Sequence, residues 1–173
     1  VLEELGPAYV KLGQLLSNRD DILPHELTEE LQKLQDQVQT EDIDICAFIT
    51  EELGVEPGEI FMDIDTVPIA SASLSQVYTA TLKENTQKIV IKAKRKGIRE
   101  IIEVDVMIIK DVANILENYY SVASRMNLRG VAETFEKTIL TELSFTQELN
   151  NIERFRKDMR DTSVHVPVTY KLY

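Results

Sequence analysis

Four charged side chains, Lys11, Lys92, Glu142 and Glu148, carry the chemistry this sequence can offer. Lys92 closes the apolar triplet of "KIVIKAKR", residues 88–95. Side chains alternate along a strand, so Val90, Lys92 and Lys94 face one way and Ile89, Ile91 and Ala93 the other. A lysine whose stem is covered on both sides lacks free hydration and calls for an anionic partner. The plainer alternative is an exposed strand lysine whose stem lies along apolar surface. Lys11 opens "KLGQLLSNRDDILP", residues 11–24. There a lysine, a glycine and a glutamine crowd a helical pattern, and Gly13 costs about 1 kcal/mol against alanine. Glu142 and Glu148, on the C-terminal helical segment, are the candidate anions. On one continuous helix, six residues at about 100° each set them roughly 120° apart. Two such carboxylates suit two different cations, Lys11 and Lys92, although salt-bridged surface glutamates are commonplace.

The elements that must position these groups follow from periodicity. Leu2, Leu5, Val10, Leu12, Leu15 and Leu16 recur at helical spacing over 1–20, with Pro7 marking a kink or a start. After Pro24, Leu27, Leu31, Leu34 and Val38 predict an amphipathic helix. Thr40 is the expected N-cap of a third helix, which ends at Gly54 and carries Cys46 in its core face. Residues 59–83 turn β-branched and alternating, and three antiparallel strands are predicted at about 62–69, 75–83 and 87–95. "ENTQ", 84–87, supplies the turn and Gly97 the exit. Two helices follow, about 99–125 and 130–160, broken at 125–130. The second has Val131, Phe135, Ile139, Leu143, Leu149, Ile152 and Phe155 as its apolar stripe. "VHVPVTYKLY" reads as a returning strand. Segregated helices and an antiparallel strand run argue for an α+β fold.

The 173 residues fit one domain or one lobe, and 43% hydrophobic residues are enough for a core. A net charge of −11 argues against a nucleic-acid or anionic-membrane binder. One cysteine excludes an internal disulfide framework and fits a reducing compartment. No apolar run reaches 18 residues, and no signal peptide is visible. The first residues read as the middle of a helix and the last as the middle of a strand, so a piece of a longer protein is expected. The basic run Lys92, Lys94, Arg95, Lys96 and Arg99 reads as a solvated face or as a phosphate-attracting mouth. His25 and His165 read as surface or turn residues, and no metal-ligand spacing occurs.

Four blocks in order resemble the UbiB/AarF-type atypical protein-kinase-like family associated with ubiquinone biosynthesis. "KLGQLLSNRDDILP" resembles its K-x-G-Q motif at Lys11, Gly13 and Gln14, with a D-x-L-P tail at Asp21, Leu23 and Pro24. "PIASASLSQVY" resembles the alanine-rich loop that stands where ordinary kinases have a glycine-rich one. "IVIK" is similar to the kinase V-A-I-K strand. "ELSFTQELNNIERF" resembles the E-x-D helix, with Ser144 where the family has Asp. That departure puts any role needing both carboxylates in doubt.

The resemblance implies a helical K-x-G-Q extension over 1–58 and a kinase-like N-lobe over 59–173, with the C-lobe absent. It implies ATP or ADP with Mg as cofactor, the metal ligands lying on the C-lobe. Lys92 would meet the α- and β-phosphates and pair with Glu148, and Val90 would line the adenine pocket. Ala70, Ser71, Ala72, Ser73, Ser75 and Gln76 would form the nucleotide loop, made tighter by the lack of glycine. Lys11 would tie a lid to Glu142, with Gly13 allowing close helix contact and Gln14 adding polar contacts within the cleft. No catalytic residue is expected in this chain, which alone should not transfer phosphate. An adenine nucleotide is the expected partner, with an isoprenoid or quinone lipid, or biosynthetic enzymes, as further expectations. The expected compartment is the cytoplasm, with membrane contact only through segments outside this sequence. The alternative function is a non-catalytic regulatory or scaffold module that binds lipid or protein.

Overall fold

A computed structural model of the chain describes residues 2–34 and 43–170. It divides into two compact units, Val1–Asp105 and Val106–Tyr173. The expected segment boundary at 58/59 thus falls inside the first unit.

The first unit begins with α1 (Leu2–Leu5) and α2 (Pro7–Leu16). Gly6, at φ +116°, separates them and Pro7 occupies the first turn of α2, where its missing N–H costs nothing. Ala8, Val10 and Gly13 are the buried residues of α2. A Cβ on Gly13 would lie 2.4 Å from Leu34 Cδ1 and 3.0 Å from Leu2 Cδ1, so the glycine admits leucine tips from both sides. The segment after α2 is shaped by its acids. Arg19 donates to both oxygens of Asp21, at 2.7 and 2.8 Å, and Thr28 Oγ1 donates to Asp20 at 2.6 Å. Thr28 anchors α3 (His25–Gln32): it is fully buried, while Leu27 of the expected apolar stripe is exposed. Val38 and Thr40 lie outside the described residues.

Asp44 caps α4 (Ile45–Leu53), accepting from the Cys46 and Ala47 N–H groups, and Gly54 ends it at φ +70°. Ile45 and Ile49, one helical turn apart, take the core positions, which leaves Cys46 half-buried rather than in the core as expected. A short helix not anticipated from sequence, α5 (Pro57–Ile60), runs directly into the sheet.

The sheet has β1 (Phe61–Ile64), β2 (Ala70–Ser71), β3 (Ser75–Leu82) and β4 (Lys88–Lys94). All pairings are antiparallel and all involve β3. β1 and β2 share one edge of β3: Ala80 pairs with Ile64 and Ile89, and Val77 with Ala70 and Lys92. Of the strand expected at 62–69 only 62–64 is strand, and the short β2 starts just past it. Pro68 has no N–H to give, and Asp65 Oδ1 captures the Val67 N–H at 3.0 Å instead. Tyr78, Ala80, Leu82 and Ala93 form a buried face, and Val90 lies on the open one, 64% exposed. The β3–β4 turn places Thr86 at φ 57° and closes with Gln87 donating to Asn85 Oδ1. Gly97, at φ +69°, turns the chain into α6 (Ile98–Tyr119).

In the second unit, α6 continues and is followed by α7 (Ser121–Arg125), α8 (Leu128–Glu142) and α9 (Phe145–Asp158). Lys110–Glu136 at 2.8 Å and Arg129–Glu117 at 3.1 Å fasten α8 to α6. Val131, Phe135 and Ile139 are buried on α8, as is Leu143 just beyond it. The helix expected over 130–160 is two helices. Ser144 leaves helical geometry and accepts from the Gln147 N–H, capping α9. Beyond the break the stripe weakens: Leu149 and Ile152 are half-buried and Phe155 is exposed. Residues 164–170 form no strand, contrary to expectation. Pro167 withholds one ladder donor, and the Val164 N–H turns back to Thr162 Oγ1.

Candidate functional site

The open face of the sheet gathers three of the expected groups, Ala70, Val90 and Lys92. The register aligns Ala70, Val77 and Lys92 in one row across β2, β3 and β4, and Val90 is the next residue of β4 on that face. Lys92 is exposed there. Its stem is not covered on both sides, as the sequence suggested, because the Val90 face is open. Val77, which sequence reasoning passed over, stands directly opposite Lys92. Period-two alternation from Ser75 places it on that face, but only the strand register pairs it with the lysine.

The alanine-rich loop leads into this row without a residue in the left-handed region; Thr86 and Asn127 are the only non-glycine residues described there. Its backbone closes on itself, with the Ala72 N–H donating to Ser75 O at 2.8 Å and Ile69 N–H to Val77 O at 2.8 Å. Ser73 at 1%, Ser75 at 4% and Gln76 at 0% exposure are buried. Tyr78 donates its hydroxyl to Gln76 Oε1 at 2.7 Å, inside the fold. Of the expected loop set, Ala70 is exposed and Ser71 and Ala72 are half-buried.

The basic run does not form a mouth. Arg95 is buried, 5% exposed, and donates to Ala72 O at 3.2 Å and Ser71 Oγ at 3.0 Å. Lys96 pairs with Glu51 at 3.2 Å and Arg99 with Glu103 at 3.1 Å. Arg95, read from the sequence as part of a solvated or phosphate-attracting run, is instead a buried residue. Flanked by lysines, it carried no signal of burial.

Lys11 and Gln14 sit half-buried on α2. Gln14 Nε2 donates to Leu34 O at 3.4 Å, so this contact lies within the N-terminal helices rather than in a cleft. Glu142 is the last residue of α8 and Glu148 lies in the first turn of α9, both exposed. The 120° argument falls with the continuous helix, and helix electrostatics replaces it. An acid suits the positive end of α9, whereas Glu142 at the negative end of α8 is a misfit unless a cation answers it. Lys11 and Lys92 belong to the first unit, Glu142 and Glu148 to the second. A cavity of about 730 Å³ lined by Glu153, Arg156, Lys157, Arg160 and His165 involves none of the expected site residues. Among the described residues no group of three or more His, Cys, Asp or Glu side chains could hold a metal ion. No described helix is long and apolar enough to cross a membrane.

Residues 33–173 match the family described as ABC1 atypical kinase-like domain. The chain is 39% identical over 173 residues to "Probable protein kinase UbiB" of Shewanella woodyi, covering 99% of this chain and 32% of that protein. It is 38% identical over 168 residues to the protein of that name from Aliivibrio salmonicida, covering 96% and 31%. The Vibrio vulnificus protein of that name is 38% identical over 171 residues, covering 98% and 31%. The chain thus spans about a third of the length of these relatives. With a four-stranded antiparallel sheet, a lysine on the second strand of its β3–β4 hairpin and the motif blocks in order, the chain belongs to the ABC1 atypical kinase-like family and has the α+β architecture of a kinase-like N-lobe.

Proposed function

We propose that the open sheet face is the roof of an adenine-nucleotide site in a longer ATP-dependent atypical kinase or ATPase that supports quinone or isoprenoid-lipid synthesis. The observation that carries this reading is the row Ala70–Val77–Lys92 with Val90 beside it. It joins an apolar platform for a purine to a primary ammonium for phosphate oxygens at the end of a loop. Exposure of Val90 and Lys92 to solvent supports it.

In this reading Val77 and Val90 pack against the base, and Lys92 stabilises the charge of the α- and β-phosphates. Glu148 orients Lys92, and α9 favours an acid in its first turn. Lys11 answers Glu142 and ties the N-terminal helices over the site. Ser144, in place of the family's acid, keeps the cap of α9 and leaves Glu142 as the one carboxylate of that motif. Magnesium, when bound with nucleotide, supplies neutralisation of phosphate charge. This chain's residues contribute binding and orientation, and by themselves no phosphoryl transfer. The link to quinone or isoprenoid synthesis rests on the resemblance to the UbiB/AarF-type family and on the relatives' printed name, "UbiB".

The test is equilibrium binding of Mg-ATP to the full-length protein. Lys92→Ala should weaken binding about tenfold or more, the loss of a charge-assisted contact to phosphate. Unchanged affinity in a folded Lys92→Ala protein overturns the reading.

A further inference from the structure

We infer that Arg95 is a positioning residue that clamps the alanine-rich loop from beneath and so sets how the loop meets phosphate; its consequence for ligand rests on the nucleotide reading above. Six polar or charged residues are buried among the described residues, and four of them, Ser73, Ser75, Gln76 and Arg95, belong to this loop and to the position just past β4. Burying polar groups is costly unless each is held, and a satisfied network fixes one conformation.

Arg95 reaches three residues of the loop. Its guanidinium donates to Ser71 Oγ at 3.0 Å and Ala72 O at 3.2 Å, and its backbone N–H donates to Leu74 O at 3.1 Å. A planar fork can serve the first two acceptors together, which a lysine ammonium on a flexible stem does less well. A glycine-rich loop adapts to phosphates by visiting left-handed conformations, whereas this loop, without glycine, is pinned in a closed turn by a side chain two strands away. The remainder of the loop, Ala70 to Ala72, is then presented at the Lys92 row in a single geometry. Arg95 itself touches no ligand.

Hydrogen exchange of residues 70–76 and Mg-ATP binding, measured together on the full-length protein, test this. Arg95→Ala should speed exchange of the Ala72 amide about tenfold and weaken Mg-ATP binding by a similar factor. Arg95→Lys keeps the cation without the fork, and should fall between wild type and Arg95→Ala in both readouts. Lys96→Ala, next in the chain and paired with Glu51, should change neither. If Arg95→Ala does not fold, Arg95→Lys decides. Wild-type loop exchange in a folded Arg95 variant overturns the clamp. Faster exchange with unchanged Mg-ATP affinity overturns its role toward phosphate. If the wild-type protein binds no Mg-ATP, the nucleotide reading fails, and loop exchange alone upholds or overturns the clamp.

Discussion

Ser144→Ala should loosen the start of α9 without disturbing α8. Ser144 Oγ accepts from the Gln147 N–H at 3.3 Å, and removing an N-cap side chain costs about 0.5–2 kcal/mol. The bond is at the long end of hydrogen-bond geometry, so the lower part of that range applies, about 0.5–1 kcal/mol. At about 1.4 kcal/mol per factor of ten, this is a roughly two- to fivefold loss of protection at the Gln147 and Glu148 amides. Ser144→Asp keeps an acceptor and adds a negative charge at the positive end of the helix, worth about 0.3–1 kcal/mol. Hydrogen exchange with mass-spectrometric readout over 143–150 should therefore rank Asp at or above Ser, and Ser above Ala. Peptides within 131–139, on the buried stretch of α8, should exchange alike in all three proteins. Equal protection in Ser144→Ala and wild type, or faster exchange in Ser144→Asp than in wild type, would refute the capping argument. The consequence for the proposed site is direct, because Glu148, proposed to orient Lys92, stands in the turn that this cap organises.

Lys11→Gln should open the proposed lid. In the full-length protein it should change ATP turnover by about tenfold or more in either direction, the scale of one charged contact, while the melting temperature moves little, because Lys11 is only half-buried; identical turnover would remove the lid. The turn after α2 should be acid-sensitive. The hydrogen bond from Thr28 first, then contacts with His25, hold the Asp20 carboxyl below its ordinary range, and the Arg19 guanidinium does the same for Asp21. Depressed carboxyl values in the folded state contribute stability that is present above about pH 4 and lost as the pH falls through the lowered values. Melting curves should thus show Asp20→Asn less stable than wild type near pH 7, with the gap closing as acid protonates the Asp20 carboxyl; a gap that widens with acid contradicts this assignment.

The N-lobe character was readable because its signals are local. "KIVIKAKR" alternates with period two, and β4 has the predicted facing of Val90 and Lys92. The closures at Gly54 and Gly97 followed from positive φ, which glycine takes at no steric cost. What escaped depends on three-dimensional neighbours. Ser144 reads as a lost acid in a list of letters and as a helix cap in the fold. Leu27 fits a helical stripe, yet Thr28 is buried because its hydroxyl has Asp20 and the His25 carbonyl to satisfy it. Arg95 has the sequence context of a surface cation, and only strand register and the return of the loop make it a buried clamp. Val77 needed the register as well, since the partner of a strand residue is set by its turn rather than by its type.

The central claim is that Lys92 stands at the phosphates of a bound nucleotide. An acyl-phosphate derivative of ATP transfers its acyl group to a lysine amine lying beside the phosphates, and peptide mass spectrometry identifies the lysine. In the full-length protein the account predicts that Lys92 is acylated and that excess Mg-ATP suppresses the labelling, while Lys88, four residues earlier on the same strand, gives no ATP-sensitive signal. Labelling that excess Mg-ATP leaves unchanged, or ATP-sensitive labelling at Lys88 with none at Lys92, would contradict it.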